Sequence, residues 1–269
     1  MTDATQATGE EFKRGYGWRP SLPDHNNIPA DVTGLGVLDE VDPRDDMPPV
    51  YDQGQLGSCT GNALAGAFEY DSILNGTHFG TPSRLFIYYG ERVREGTVHT
   101  DAGAYGHDGF KVLRKTGAPP EDLWPYDIST FADKPSEAAF QAAAEHRIGR
   151  YVHPGLGHDV SKLDRVEAFK RLLSNRQTIA FGFPVYESFE SQALADTGVM
   201  WMPEQKERII GGHEVLLVGY LESDPEYGLC RNSWGEDWGM NGYFLAPWAW
   251  LADPMYCMDW RSIYREVGA

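Results

Sequence analysis

Small and apolar residues recur at helical spacing in CTGNALAGAFEYDSIL, from Cys59 onward, and most are small enough for close packing on several sides. The pattern predicts a buried helix with Cys59 in its first turn. Further helices are predicted from about Ser83 to Glu95, from Gly106 to Lys115 with a stop at Gly117, from Ser136 to His146, and from Leu163 to Asn175. Beyond that point the pattern changes. The short apolar runs TIAFGFPV, EVLLVGYL, YGLCRNSW and MNGYFLAP, separated by Gly and Asp turns, read as strands. Helices crowd the first half and strands the second, so the expected class is α+β rather than alternating α/β. Residues 1–49 are polar, rich in Pro, Gly and Asp, and without sustained periodicity; they read as an extended arm lying over a folded body.

Composition narrows the functions this fold can serve. A chain of 269 residues with 41% hydrophobic content can bury a substantial core. Its formal charge of −17 repels phosphate backbones and anionic lipid, which argues against nucleic acid and membrane surfaces as partners. No apolar run approaches the roughly 20 residues of a membrane span, and the polar start MTDATQATGEEF does not resemble a secretory signal, so a soluble, cytoplasmic protein is expected. Three cysteines are too few for a disulfide framework, and a reducing compartment fits them best. The eight histidines are scattered and form no zinc-like spacing, so neither a metal nor a cofactor is expected.

Three of the remaining residue types form a pattern with chemistry. At the first turn of a helix, unpaired backbone N–H groups and the positive end of the dipole favour a thiolate, which singles out Cys59 over Cys230 and Cys257. In GGHEVLLVGY, His213 follows two glycines that leave its approach open. In RNSWGEDWGMNGYF, Asn232 offers an amide oxygen to an imidazole N–H, with Trp234 and Trp238 close behind to shield the bond. Cys, His and Asn are the parts of a thiolate–imidazolium pair held by a third group. Ser233 has no G-x-S-x-G setting that would make it a nucleophile.

QGQLGSCTGNALA, GGHEVLLVGY and RNSWGEDWGMNGYF, in that order, resemble the signature blocks of the papain family of cysteine peptidases. The resemblance extends through DAGAYGHDGFKVLRKTGAPPEDLWPYD, and His213 and Asn232 lie slightly farther from Cys59 than the family's interval of about 130 to 150 residues. It implies a two-lobed papain-like fold, with a helical lobe at about 58–155, a β-barrel-like lobe at about 156–269, and the whole catalytic domain at 50–269. It also implies a cysteine endopeptidase (hydrolase, thiol protease) acting on peptide or protein substrates. Cys59 would be nucleophile, His213 base and proton donor, Asn232 its orienting partner, and Gln53 an oxyanion donor beside the Cys59 backbone N–H, each donor contributing on the order of 3 kcal/mol. Gly103, Ala104, Tyr105, Gly212, Glu214 and Trp234 would line the substrate site.

Four departures from the family pattern stand out. Thr60 replaces an aromatic residue; Leu56 replaces a cysteine, so the family's disulfide cannot form there; no long helical prosegment is expected ahead of Asp52; and Glu214 replaces a small apolar residue. Two other readings share the same residues: a transpeptidase or peptide ligase working through the same acyl-enzyme, and a catalytically silent peptide-binding module. Within the arm, Tyr16 and Trp18 are the expected anchors, either occupying part of the cleft and restraining access or packing on the β-lobe.

Overall fold

The computed structural model describes residues 15–22, 28–154 and 160–264. The expected break between lobes, near 155, and residues 1–14 of the arm lie outside the described residues. In chain order the elements are β1 (Trp18–Arg19), α1 (Cys59–Leu74), α2 (Arg84–Glu95), β2 (Ala104–Tyr105), α3 (Gly106–Lys115), α4 (Glu137–Ala143), β3 (Tyr151–Val152) and α5 (Lys162–Ser174). They continue with β4 (Ile179–Tyr186), α6 (Gln192–Thr197), β5 (Ile209–Gly219), β6 (Tyr227–Arg231), β7 (Tyr243–Pro247), α7 (Trp248–Leu251) and β8 (Met258–Ile263). Helices dominate up to α4 and strands dominate after it, an α+β fold.

Local sequence accounts for several boundaries. Ser83 caps α2 by accepting the Phe86 N–H, and Gly96 ends the helix in the left-handed conformation at φ +71°. Ser161 caps α5 through the Asp164 N–H. α4 stops short of the expected His146, whose carbonyl instead accepts the N–H of Ala118 in a turn. β5 begins five residues ahead of Glu214, so His213 sits inside the strand rather than at its entrance.

The main sheet has six strands in the order β3-β8-β4-β5-β6-β7. The β4–β5 register pairs Phe183 with His213 and Gly182 with Glu214, and strand alternation sends the two pairs to opposite faces. Phe181, Phe183, Val215 and Leu217 enter a core with Phe169 of α5, Phe189 and Trp250. Ala180, Leu216 and Val218 enter a second core with Leu64 and Phe68 of α1 and Phe110 of α3. The central helix α1 therefore packs on one face of the sheet, and His213 emerges from the other. Arg231 ties the approach to α1 in place, donating to the carbonyls of Pro48 and Pro49, each at 2.6 Å. No helix among the described residues is long and apolar enough to cross a membrane.

Candidate active site

Cys59 is the first residue of α1, and its N-cap Ser58 makes no side-chain capping bond, so the helix amides around the sulfur are not claimed by a cap. His213 is fully buried and points its Nε2 at Asn232 Oδ1, 2.8 Å away. An amide oxygen only accepts, so Nε2 carries the proton and Nδ1 is the nitrogen left for proton exchange. Asn232 is fixed in turn: its Oδ1 accepts the Ser233 N–H at 2.8 Å and its backbone N–H donates to the Gly242 carbonyl at 2.9 Å. Trp234 stacks on the imidazole at 4.9 Å between centroids and 22° between planes, and Trp238 meets Trp234 edge-on at 5.1 Å. The histidine–amide bond is thus roofed by indole, as the order of residues in RNSWGEDWG implied.

Gln53 is also fully buried. Ser233 Oγ donates to its Oε1 at 2.6 Å, which turns the amide nitrogen outward to donate to the carbonyls of Gly15 (2.9 Å) and Leu56 (3.0 Å). Sequence reasoning weighed Ser233 only as a nucleophile; its observed part is to orient Gln53. Its position directly after Asn232 was the one available signal.

Residues 15–21 run across this group. The Gly15 carbonyl takes the Gln53 amide, the Tyr16 ring meets His213 edge-on at 6.1 Å, and the Gly17 backbone N–H acts on the Cys59 sulfur in the direction that favours a thiolate. The Gly17 carbonyl accepts the Ala104 N–H at 2.7 Å, and β1 then pairs with β2 in parallel, Trp18 opposite Ala104. Chain and body meet backbone to backbone. A β-carbon on Gly17 would fall 1.6 Å from the Gly57 carbonyl oxygen, and one on Gly103, at φ +67°, would fall 1.9 Å from the Gly17 carbonyl oxygen. Trp18, only 5% exposed, lays its indole over Gly182, and Gly212 abuts its backbone. Arg19 pairs with Glu95 and covers the Tyr105 ring at 4.4 Å. The Ser21 N–H reaches Asp259 at 2.8 Å.

Glu214 shares the sheet face of its partner Gly182, the face Trp18 covers, and its carboxyl lies directly against Gly106 at the start of α3. It is 2% exposed and neither oxygen has a hydrogen-bond partner among the described residues. Burial pushes its pKa up to about 8, helped by Asp259 and opposed by Arg261. A second buried acid, Glu91 of α2, lies against Gly109 one turn along α3 and accepts the Thr60 hydroxyl at 2.7 Å. Burial holds it well above the carboxylate range, and Glu214 adds to that effect. Thr60 thus replaces the family's aromatic with a hydrogen bond to a buried acid.

These surroundings decide the state of the Cys59 thiol. Burial raises the Cys59 thiol to about 12 and Glu214 acts in the same direction, while the backbone N–H groups of Glu214 and Gly17 act in the opposite sense. The helix terminus alone would favour a thiolate; with residues 15–21 laid over it, desolvation is the larger effect. Cys230 and Cys257 are buried free thiols.

A sequence model described as papain family cysteine protease matches residues 37–247. An uncharacterised peptidase C1-like protein of Acanthamoeba polyphaga mimivirus is 41% identical over 95% of this chain and 88% of its own length. Mouse (Mus musculus) cathepsin J is 28% identical over 88% of this chain and 68% of its own. Among solved structures, xylellain, a cysteine protease from Xylella fastidiosa, superposes with a TM-score of 0.82 at 34% identity, covering 94% of this chain and 97% of its own.

Proposed function

The chain belongs to the papain family of cysteine proteases, and from that premise we propose that it hydrolyses peptide bonds at Cys59 and that its own residues 15–21 mask the site. The observation that carries the reading is the fixed His213–Asn232 pair under Trp234, with Cys59 at the head of α1 and the Gln53 amide turned outward. His213 Nδ1 takes the Cys59 proton, and the thiolate attacks the substrate carbonyl. The Gln53 amide and the Cys59 backbone N–H hold the resulting oxyanion. The imidazolium then protonates the departing amine, leaving an acyl-enzyme that water hydrolyses with His213 as base. Asn232 keeps the ring turned toward the sulfur throughout. Four side chains suited to these steps support chemistry over simple peptide binding.

Residues 15–21 engage the groups a substrate would use: the Gln53 amide, the sulfur, the Ala104 N–H of the wall and the face beside His213. While they are in place the thiol is held protonated; their departure returns water to the sulfur and lowers its pKa. In this reading Gly103, Ala104 and Gly212 offer backbone to the substrate, Tyr105 and Trp234 border it, and the pocket under Trp18 takes a substrate side chain.

The test is to compare the full chain with a form lacking residues 1–27, using a peptidyl electrophile that alkylates thiolates and a fluorogenic peptide. Cys59 labelling and hydrolysis should each rise at least tenfold on truncation while the fold, read by circular dichroism, is retained. Unchanged or lower rates in a folded truncated protein refute the mask, and labelling at Cys230 or Cys257 with Cys59 untouched refutes the nucleophile.

A further inference from the structure

The loop that delivers Cys59 is pinned on its inner side by Gln53, which donates to the Leu56 carbonyl, and by Tyr126, whose hydroxyl bonds Ser58 Oγ. Its outer side faces the wall loop at Asp101–Ala104. No covalent link joins the two loops, since position 56 is leucine and all three cysteines are free. A single carboxylate spans the gap instead. The Gly57 N–H donates to both oxygens of Asp101, at 3.1 and 3.0 Å. The Tyr88 hydroxyl of α2 donates to Asp101 Oδ1 at 2.5 Å, and the same hydroxyl oxygen accepts the Gly103 N–H at 3.2 Å.

This chain of bonds touches both parts of the site whose separation matters. Gly57 precedes Ser58 and Cys59, so its height sets where the sulfur and the Cys59 N–H stand relative to the Gln53 amide. Gly103 precedes Ala104, whose N–H receives the backbone laid along the wall. A carbonyl displaced by even about 1 Å from its attacking atom loses on the order of a hundredfold in rate. A charge-assisted bond in which one N–H is shared between both carboxylate oxygens is suited to hold such a distance, because it centres the donor on the carboxylate.

We propose that Asp101 is a positioning residue: its carboxylate, braced by Tyr88, clasps the nucleophile loop to the substrate wall. The proposal rests on the reading of Cys59 as nucleophile and Ala104 as substrate wall. Unlike a disulfide, the clasp holds under reducing conditions.

The test uses the full chain with three substitutions, Asp101→Ala, Asp101→Asn and Tyr88→Phe, read by amide hydrogen exchange and by peptide turnover. Asp101→Ala should speed exchange in the segment containing Gly57 at least tenfold, leave the interior of α1 protected, and lower kcat about tenfold with KM changed less than threefold. Asp101→Asn keeps an acceptor for Gly57 and should recover kcat to within threefold of the parent. Tyr88→Phe should speed exchange at Gly103 while Gly57 stays protected, a result that carries the test if the alanine variant does not fold. Unchanged Gly57 exchange in Asp101→Ala overturns the clasp, as does an Asp101→Asn variant no better than alanine, or, with Asp101→Ala unfolded, unchanged Gly103 exchange in Tyr88→Phe. If neither the full chain nor the form lacking residues 1–27 shows turnover, the peptidase reading fails, and the exchange data still decide the clasp.

Discussion

Replacing Glu214 by glutamine should make the protein's stability less dependent on pH, and the size of the change follows from where the carboxyl lies. The group is buried against Gly106, on the sheet face where Trp18 covers its strand partner Gly182, with neither oxygen bonded among the described residues, so the fold favours its neutral form and raises its pKa from 4.5 to about 8. A carboxyl raised in this way supports the fold fully below its unfolded value near 4.5. That support is lost progressively as pH rises toward 8, where the folded group ionises too. Each pH unit in that window removes about 1.4 kcal/mol, so between pH 5 and pH 8 the wild type loses roughly 4 kcal/mol through this one side chain. The glutamine amide is neutral at every pH and similar in shape to the carboxyl it replaces. Glu91, Asp259 and Arg261, the charged groups that act on Glu214 or respond to it, are present in both proteins, so the comparison isolates the Glu214 carboxyl. Thermal melts at pH 5, 6.5 and 8 should therefore give similar midpoints for the two proteins at pH 5, with Glu214→Gln higher by about 10 °C at pH 8. A gap that stays the same from pH 5 to pH 8 refutes the reasoning, because it would mean the carboxyl titrates alike in the folded and unfolded chain.

Other substitutions probe the proposed chemistry directly. Cys59→Ala should abolish peptide turnover in the truncated form, whereas Asn232→Ala should leave a measurable residue of it, since the third member orients and shields the ring. Ser233→Ala removes the hydroxyl that aims the Gln53 amide and should lower kcat about tenfold to a hundredfold with KM nearly unchanged; a change confined to KM would contradict an oxyanion role. With the pocket under Trp18 open to substrate, Glu214 should favour Arg or Lys over Leu by tenfold or more through a charge-assisted bond. An Arg-to-Leu ratio of kcat/KM that is the same for wild type and Glu214→Gln rules this out.

Much of the site was legible in the order of residues alone. Helical spacing after Cys59 set that residue at a helix start, and α3 runs from Gly106 to Lys115 as its pattern predicted. Strand alternation set Glu214 on the face opposite His213, but could not tell that this second face is itself buried by α3 and Trp18. β8, paired on both sides between β3 and β4, is not predicted because MDWRSI mixes charge with apolar residues and has no clean period. Asp101 looked like one acid among many in a glycine-containing loop; its partner Gly57 contributes only a backbone N–H, which no side-chain pattern reports. For residues 15–21 the sequence offers Tyr16 and Trp18 as anchors but leaves two courses open, because the segment is held largely by main chain against main chain.

If residues 15–21 mask the site as proposed, the arm is a competitive ligand on a short leash. Pro29 bridges to His153 and the Ala30 N–H to the His153 carbonyl, so only about ten residues separate a fixed point on the body from the strand at Trp18–Arg19. A ligand tethered so closely acts at an effective concentration in the millimolar range. If the closed form outweighs the open one by a hundredfold, every peptide or inhibitor competing for the site binds a hundredfold more weakly than to the open form. Dose–response curves on the full chain and the truncated form would then run parallel, displaced along the concentration axis by the same factor for every competitor, and that common displacement is a direct measure of the closing equilibrium.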